Sequence, residues 1–131
     1  MAGFSDYLED KVLDHVFGGT AYSAPGTLYV ALYTAAPSDT GGGTEVSGGS
    51  YARKSMAAMT VSGTSPTTAT NGSAVEFVTA TGAWGTVTHV GVFDAATSGN
   101  LMAWAALTAS KTVASGYVFR FDAGDLDITL A

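Results

Sequence analysis

The clearest alternation of apolar and polar positions is Leu28-Tyr-Val-Ala-Leu-Tyr-Thr34, with Leu28, Val30 and Leu32 on one side and Tyr29, Ala31 and Tyr33 on the other. Successive side chains of a strand point to opposite faces, so this stretch predicts a β-strand with an aliphatic core face. A longer period opens the chain. Phe4, Leu8, Val12 and Val16, joined by Leu13 and Phe17, recur every three or four residues and predict an amphipathic helix. Ser5 fits its N-cap, Asp6 and Glu9 suit the positive end of the helix dipole, His15 suits the last turn, and Gly18-Gly19 stops it. Tyr7 lies beside the stripe.

Two apolar runs, Trp84 to Asp94 and Leu101 to Leu107, flank Thr97-Ser-Gly-Asn100 and predict the central antiparallel hairpin of the domain. In the first run Val87, His89 and Gly91 alternate with Thr88, Val90 and Val92, so neither face is simply polar. Such a strand is an interior one, covered by a second layer or a neighbouring subunit. Shorter patterns predict strands at Tyr51–Val61, at Ala74–Thr79 with Val75 and Phe77 on one face and Glu76 and Val78 on the other, at Thr112-Val113 and at Tyr117–Asp122. A last strand, Leu126–Leu130, turns Leu126, Ile128 and Leu130 inward. Asn71-Gly72 is a turn signal. The Gly-rich connection from Ala35 to Ser50 is read as a binding loop, a disordered segment or an arm that orders only against a neighbour.

These elements predict a mainly β fold, an antiparallel β-sandwich or jelly roll with one N-terminal helix. Residues 1–19 form the helix, packing on the domain or on a neighbour, and residues 20–131 form a single β-sandwich domain. If the helical stripe docks on the domain, Leu8→Ala should cost about 2 to 5 kcal/mol. If it faces a neighbour, the subunit should keep its stability and lose assembly. There is neither an internal repeat nor a heptad pattern to build a self-contained shaft.

Composition sharpens this picture. Only 12% of residues are charged against 47% hydrophobic, and the mean hydropathy is +0.25. That is a poor surface for a free monomer, so part of it is expected to be covered by other subunits. The net charge is -6 and the five basic residues are scattered, which argues against nucleic acid as a partner. No cysteine is present, so disulfides and thiol chemistry drop out. No apolar run approaches a membrane span, so no membrane insertion is expected, and Met1 to Asp6 lacks the basic start of a signal peptide, so assembly in a cytoplasm is expected.

Reactive groups are few. The histidines are His15 and His89, and no Gly-x-Ser-x-Gly elbow accompanies them. Ser and Thr are abundant, so a Ser near His89 and Asp94 means little without such an elbow; a hydrolase working through His89 and Asp94 is the weakest reading, and His89 is expected to be a hydrogen-bonded sheet or interface residue. Asp122, Asp125 and Asp127 around Gly124 resemble half of a calcium loop but lack its oxygen-ligand order and terminal Glu, so turn solvation explains them better. Gly41-Gly-Gly43 runs into Thr-Glu, not the Lys-Ser/Thr of a phosphate loop. No cofactor, metal or catalytic residue is predicted. Tyr29, Tyr33, Trp84 and Trp104 could stack on sugars, although core packing accounts for them with fewer assumptions. The candidate interface residues are Phe4, Tyr7, Leu8, Val12, Tyr29 and Tyr33.

Phe4 to Tyr22, Leu28 to Asp39, and Gly82-Ala-Trp-Gly-Thr-Val-Thr-His-Val-Gly-Val-Phe-Asp-Ala95 onward to Leu107 resemble a family of small proteins of tailed bacteriophages and prophages. These are commonly labelled tail fibre or virion structural proteins. The resemblance covers nearly the whole chain and is specific in the helix and hairpin. It implies a non-enzymatic virion component, assembled in the bacterial host cytoplasm and present in many copies, with no catalytic residues to carry over. Expected partners are copies of itself, as a trimer, and other virion proteins. A tail or fibre-associated subunit is the leading expectation. A capsid decoration protein that cements the head is the alternative, and a module adsorbing to host surface glycan is a second one.

Overall fold

The computed structural model describes residues 3–130. A two-residue strand, β1 (Gly3–Phe4), leads into the helix α1 (Asp6–Val16), and strands make up the remaining regular structure: β2 (Leu28–Ala35), β3 (Thr44–Glu45), β4 (Lys54–Met56), β5 (Thr60–Ser62), β6 (Thr67–Thr70), β7 (Val75–Glu76), β8 (Gly85–Phe93), β9 (Leu101–Val113), β10 (Arg120–Phe121) and β11 (Asp127–Leu130). The fold is mainly β with antiparallel sheets and one helix near the N-terminus, as the periodicities predict.

Six strands form the main sheet, in the order β1-β9-β8-β2-β3 with β4 also paired to β2. Its centre is the β8–β9 hairpin, flanked by β2 in the register Val30 to Val92 and Leu32 to Val90. Strands β10 and β7 make a second sheet and β11-β6-β5 a third. The principal core lies between the main sheet and the β10–β7 sheet with its flanking residues. Val30 and Leu32 of β2 and Val90 and Val92 of β8 meet Met56, Val75, Phe77, Phe119, Phe121 and Leu126 there. The opposite face carries a smaller cluster, Ala31, Tyr33, Phe93 and Leu101, packed by Tyr29 and Trp104. The expected division of β2 into two faces is thus the division between the two clusters.

Local departures from the sequence pattern have physical causes. The expected strand Tyr51–Val61 is two strands, because Lys54–Met56 pairs with β2 while Thr60–Ser62 pairs with β6. The chain crosses between sheets in the intervening residues, as strands do at a sandwich corner. In the hairpin, the β8–β9 ladder shifts register between Val87 and His89. Val87 and Val90 consequently both reach the principal core, which strict alternation forbids. Leu130, expected inward, is 55% exposed, because β11 and its partner strands run out past the core. The predicted strand Tyr117–Asp122 shrinks to Arg120–Phe121, with Tyr117 and Val118 exposed.

Helix α1 is capped as expected: Ser5 is the N-cap and its hydroxyl accepts from the Leu8 N–H at 3.3 Å. The same hydroxyl donates to the Leu101 carbonyl. The Ser5 N–H donates to the Met102 carbonyl at 2.9 Å. The helix is therefore fastened at its first turn to the hairpin, while none of its residues is buried. The Gly-rich connection is ordered against its own chain. Ser38 and Gly41 form an antiparallel bridge, β3 pairs with β2, and the buried Val46 donates its N–H to Leu32 at 2.9 Å. Gly43 has φ +75, and a Cβ there would stand 2.7 Å from the Pro37 backbone nitrogen, so the turn admits no side chain.

Candidate functional site

A cleft of about 440 Å³ opens between the start of α1, the Gly-rich connection and the hairpin loop, lined among others by Tyr7, Tyr33, Asp39, Glu45, Arg53 and Asn100. Its floor is built by a cluster absent from the predicted site residues. Arg53, immediately before β4, lays its guanidinium over the Phe93 ring, 3.6 Å from the centroid. Two hydrogen bonds of 2.9 Å, from Nε and Nη2, reach the two carboxylate oxygens of Glu45. Nη1 donates to the carbonyls of Ala95 at 3.0 Å and Ser98 at 2.8 Å. One side chain thus joins β3 to the tip of the hairpin.

Tyr51 completes the cluster. Its hydroxyl donates to Glu45 Oε2 at 2.7 Å and accepts from the Leu32 N–H at 3.0 Å. Burial first, and then the Glu45 carboxylate, push its phenol well above the usual tyrosine range. Tyr33 is pushed up to about 12 by burial and by the Glu45 charge. Burial opposes the charge on Arg53, but the hydrogen bonds and charge of Glu45 outweigh it and raise the guanidinium further. All three groups therefore keep their protonated forms at neutral pH, and the Tyr51 hydroxyl and the Arg53 guanidinium donate inside the chain.

The rest of the cleft is similarly engaged. Asp39 accepts from the Trp104 indole N–H at 2.9 Å through its side chain and from the Asp6 N–H at 2.9 Å through its carbonyl. Asp94 closes the hairpin loop by accepting from the Asn100 N–H at 2.7 Å and from its side-chain amide at 2.9 Å. His89 contacts Thr88 Oγ1 at 2.8 Å and leans on Trp104 with ring centroids 6.0 Å apart. His89 and Asp94 thus have separate partners, and no acid–base–nucleophile set assembles from them. Asp122 pairs with Arg120 at 2.8 Å, and Asp125 accepts from the Asp122 N–H at 2.9 Å. Among the described residues no group of three or more His, Cys, Asp and Glu side chains converges in a way that could hold a metal ion.

Of the candidate interface residues, Tyr7 and Tyr33 line the same cleft. Tyr33 is only 3% exposed and stacks on Phe93 at 6.5 Å. Tyr29 packs against the same small cluster. Phe4 pairs with Ala103 on the sheet edge, and Leu8 and Val12 are half-buried on the helix. The four aromatics considered for sugar stacking do not share a surface. Trp84 lies in the principal core, and Tyr29, Tyr33 and Trp104 lie on the other face of the sheet. Sequence reasoning missed the Glu45 cluster, since nothing local marks Glu45 as the partner of Tyr51 and Arg53.

A family model described as podophage GP4 fiber I protein gp80 matches residues 3–129, nearly the whole chain. The chain belongs to this gp80 family. No curated protein matches it. As a gp80-family member it is a phage tail fibre-type virion protein, a structural component of the particle that associates with other virion proteins. The gp80 match spans both the capped helix and the Arg53–Glu45 cluster, so the elements that shape the cleft lie within the family's extent.

Proposed function

We propose that this chain is a non-enzymatic structural subunit of the phage fibre, assembled with copies of itself as a trimer and joined to other virion proteins through helix α1. The observation that carries the reading is the exposed end of that helix. Phe17 is 82% exposed and Val16 and Leu13 are exposed beside it, although the first turn is firmly fastened to the hairpin. An apolar patch rimmed by polar residues on a fixed element marks a surface for a partner. Leu8, Val12 and Tyr7, on the same helix, are its neighbours in this reading. Low charge and the internal use of the Arg53, Glu45 and Asp94 side chains support a role in holding shape rather than in turnover. The family description favours the fibre over a place on the head.

Light scattering on the purified chain and a cryo-electron microscopy map of the virion test this together. A trimer seated in fibre density is expected, and Phe17→Asp should leave the melting temperature of the subunit unchanged while removing it from particles. A chain absent from purified virions would overturn the reading.

A further inference from the structure

The third sheet, β11-β6-β5, has one apolar face and one polar face. Its register places Val61, Ala69 and Ile128 in one row across the three strands, with Leu130 opposite Thr67 in the next row on the same side. Cross-strand partners share a face. The opposite side carries Thr60, Thr70 and Asp127 and then Ser62, Thr68 and Thr129, with Thr70 donating to Asp127 at 2.6 Å. Toward the body, the apolar face continues into Leu126, which is buried in the principal core. Away from it the same face runs into water: Val61 is 67% exposed and Leu130 55%. Strand β5 is moreover an edge strand with no charged residue, the kind of edge that isolated subunits ordinarily blunt with charge.

We infer that this face, Val61, Ala69, Ile128 and Leu130, is the surface on which a second copy of the chain docks. The inference rests on the self-association proposed above and names its location. Electrostatics selects the occupant. Each copy carries a net charge of -6, so copies repel wherever carboxylates face one another. Helix α1, with Asp6, Glu9, Asp10 and Asp14 against a single Lys11, is such a surface for another copy. The apolar face of the outer sheet carries no ionisable group, so two copies can meet there without desolvating a charge. It also continues the chain's own core, and interfaces between identical subunits resemble a core cut in two.

The absence of native cysteine makes the test direct. Val61→Cys, Leu130→Cys and Val16→Cys each introduce a single thiol, to be treated with a short bismaleimide. Covalent dimers are expected from the first two and none from the helix variant. In light scattering, Val61→Asp should weaken association about 30-fold, as loss of a central apolar contact does. Val61→Thr keeps the branched shape in a threonine-rich sheet and should shift the same equilibrium less, which guards against misfolding as the cause. An oligomeric wild-type chain that Val61→Asp leaves intact and that cross-links only through Val16→Cys would overturn this inference and leave self-association standing. A wild-type chain that stays monomeric at every concentration would overturn both.

Discussion

The guanidinium of Arg53 meets the carboxylate of Glu45 edge to edge through two hydrogen bonds of 2.9 Å, and the Arg53 side chain is 9% exposed. Removing one partner of so enclosed a pair strands the other charge. Glu45→Ala should therefore destabilise the subunit by about 3 kcal/mol in urea unfolding. Arg53→Lys should recover little, because an ammonium cannot reproduce the paired bonds or the stacking on Phe93.

Alkaline pH should unfold the chain through its tyrosines. Folding raises Tyr33 from 10.0 to about 12 and raises Tyr51 as well. Above pH 10.0 the unfolded chain has released protons that the folded chain still holds, so stability falls as pH rises. The contribution of Tyr33 is complete below 10.0 and is lost on passing through about 12. Each such tyrosine contributes at most about 1.4 kcal/mol per pH unit to the slope. Tyr33→Phe should flatten the curve in a pH series of denaturant melts.

Ser5→Ala should cost about 2 kcal/mol, since it removes a cap bond to Leu8 and leaves the buried Leu101 carbonyl without its donor. Loss of helical circular dichroism ahead of the sheet signal in a thermal melt would mark the helix as the part released.

Leu8→Ala should cost only about 1 kcal/mol, below the range for a buried leucine, because no helix residue is buried in the subunit. A melt of the isolated variant checks this. A full core-sized loss would place the helix stripe in the intrachain core.

Asn71→Ala should cost about 3 kcal/mol. The buried amide donates to the carbonyls of Ser73 at 2.9 Å and Asp122 at 3.0 Å and accepts from the Leu126 N–H at 2.9 Å. Urea unfolding of the variant measures the loss, and substitution of the neighbouring exposed Ser73 by Ala provides a control near zero.

Much of this architecture is legible from local pattern. The two faces of β2, the capped helix and the β8–β9 hairpin each follow from side-chain period and end signals confined to a few residues. What the pattern misses is set at long range. Val87 and Val90 share a face only because the ladder slips, and slippage depends on the partner strand. Asn71 is marked as a turn residue, but its amide bonds to Asp122 and Leu126, which lie far along the chain. Glu45, Tyr51 and Arg53 sit in stretches without strong periodicity, and their mutual bonds exist only once the Gly-rich connection has folded back on β2. Leu130 reads as inward because its strand alternates well; where the core ends is decided by the sheets above it.

The bond from Ser5 to Leu101 spans 96 positions, and this orders events in time. Helix α1 is synthesised before the hairpin, and the carbonyl that holds its opening turn emerges 96 residues after Ser5. Closing so long a loop carries a large entropic cost until other contacts have shortened it. The nascent helix therefore waits, unsecured, until the hairpin has formed.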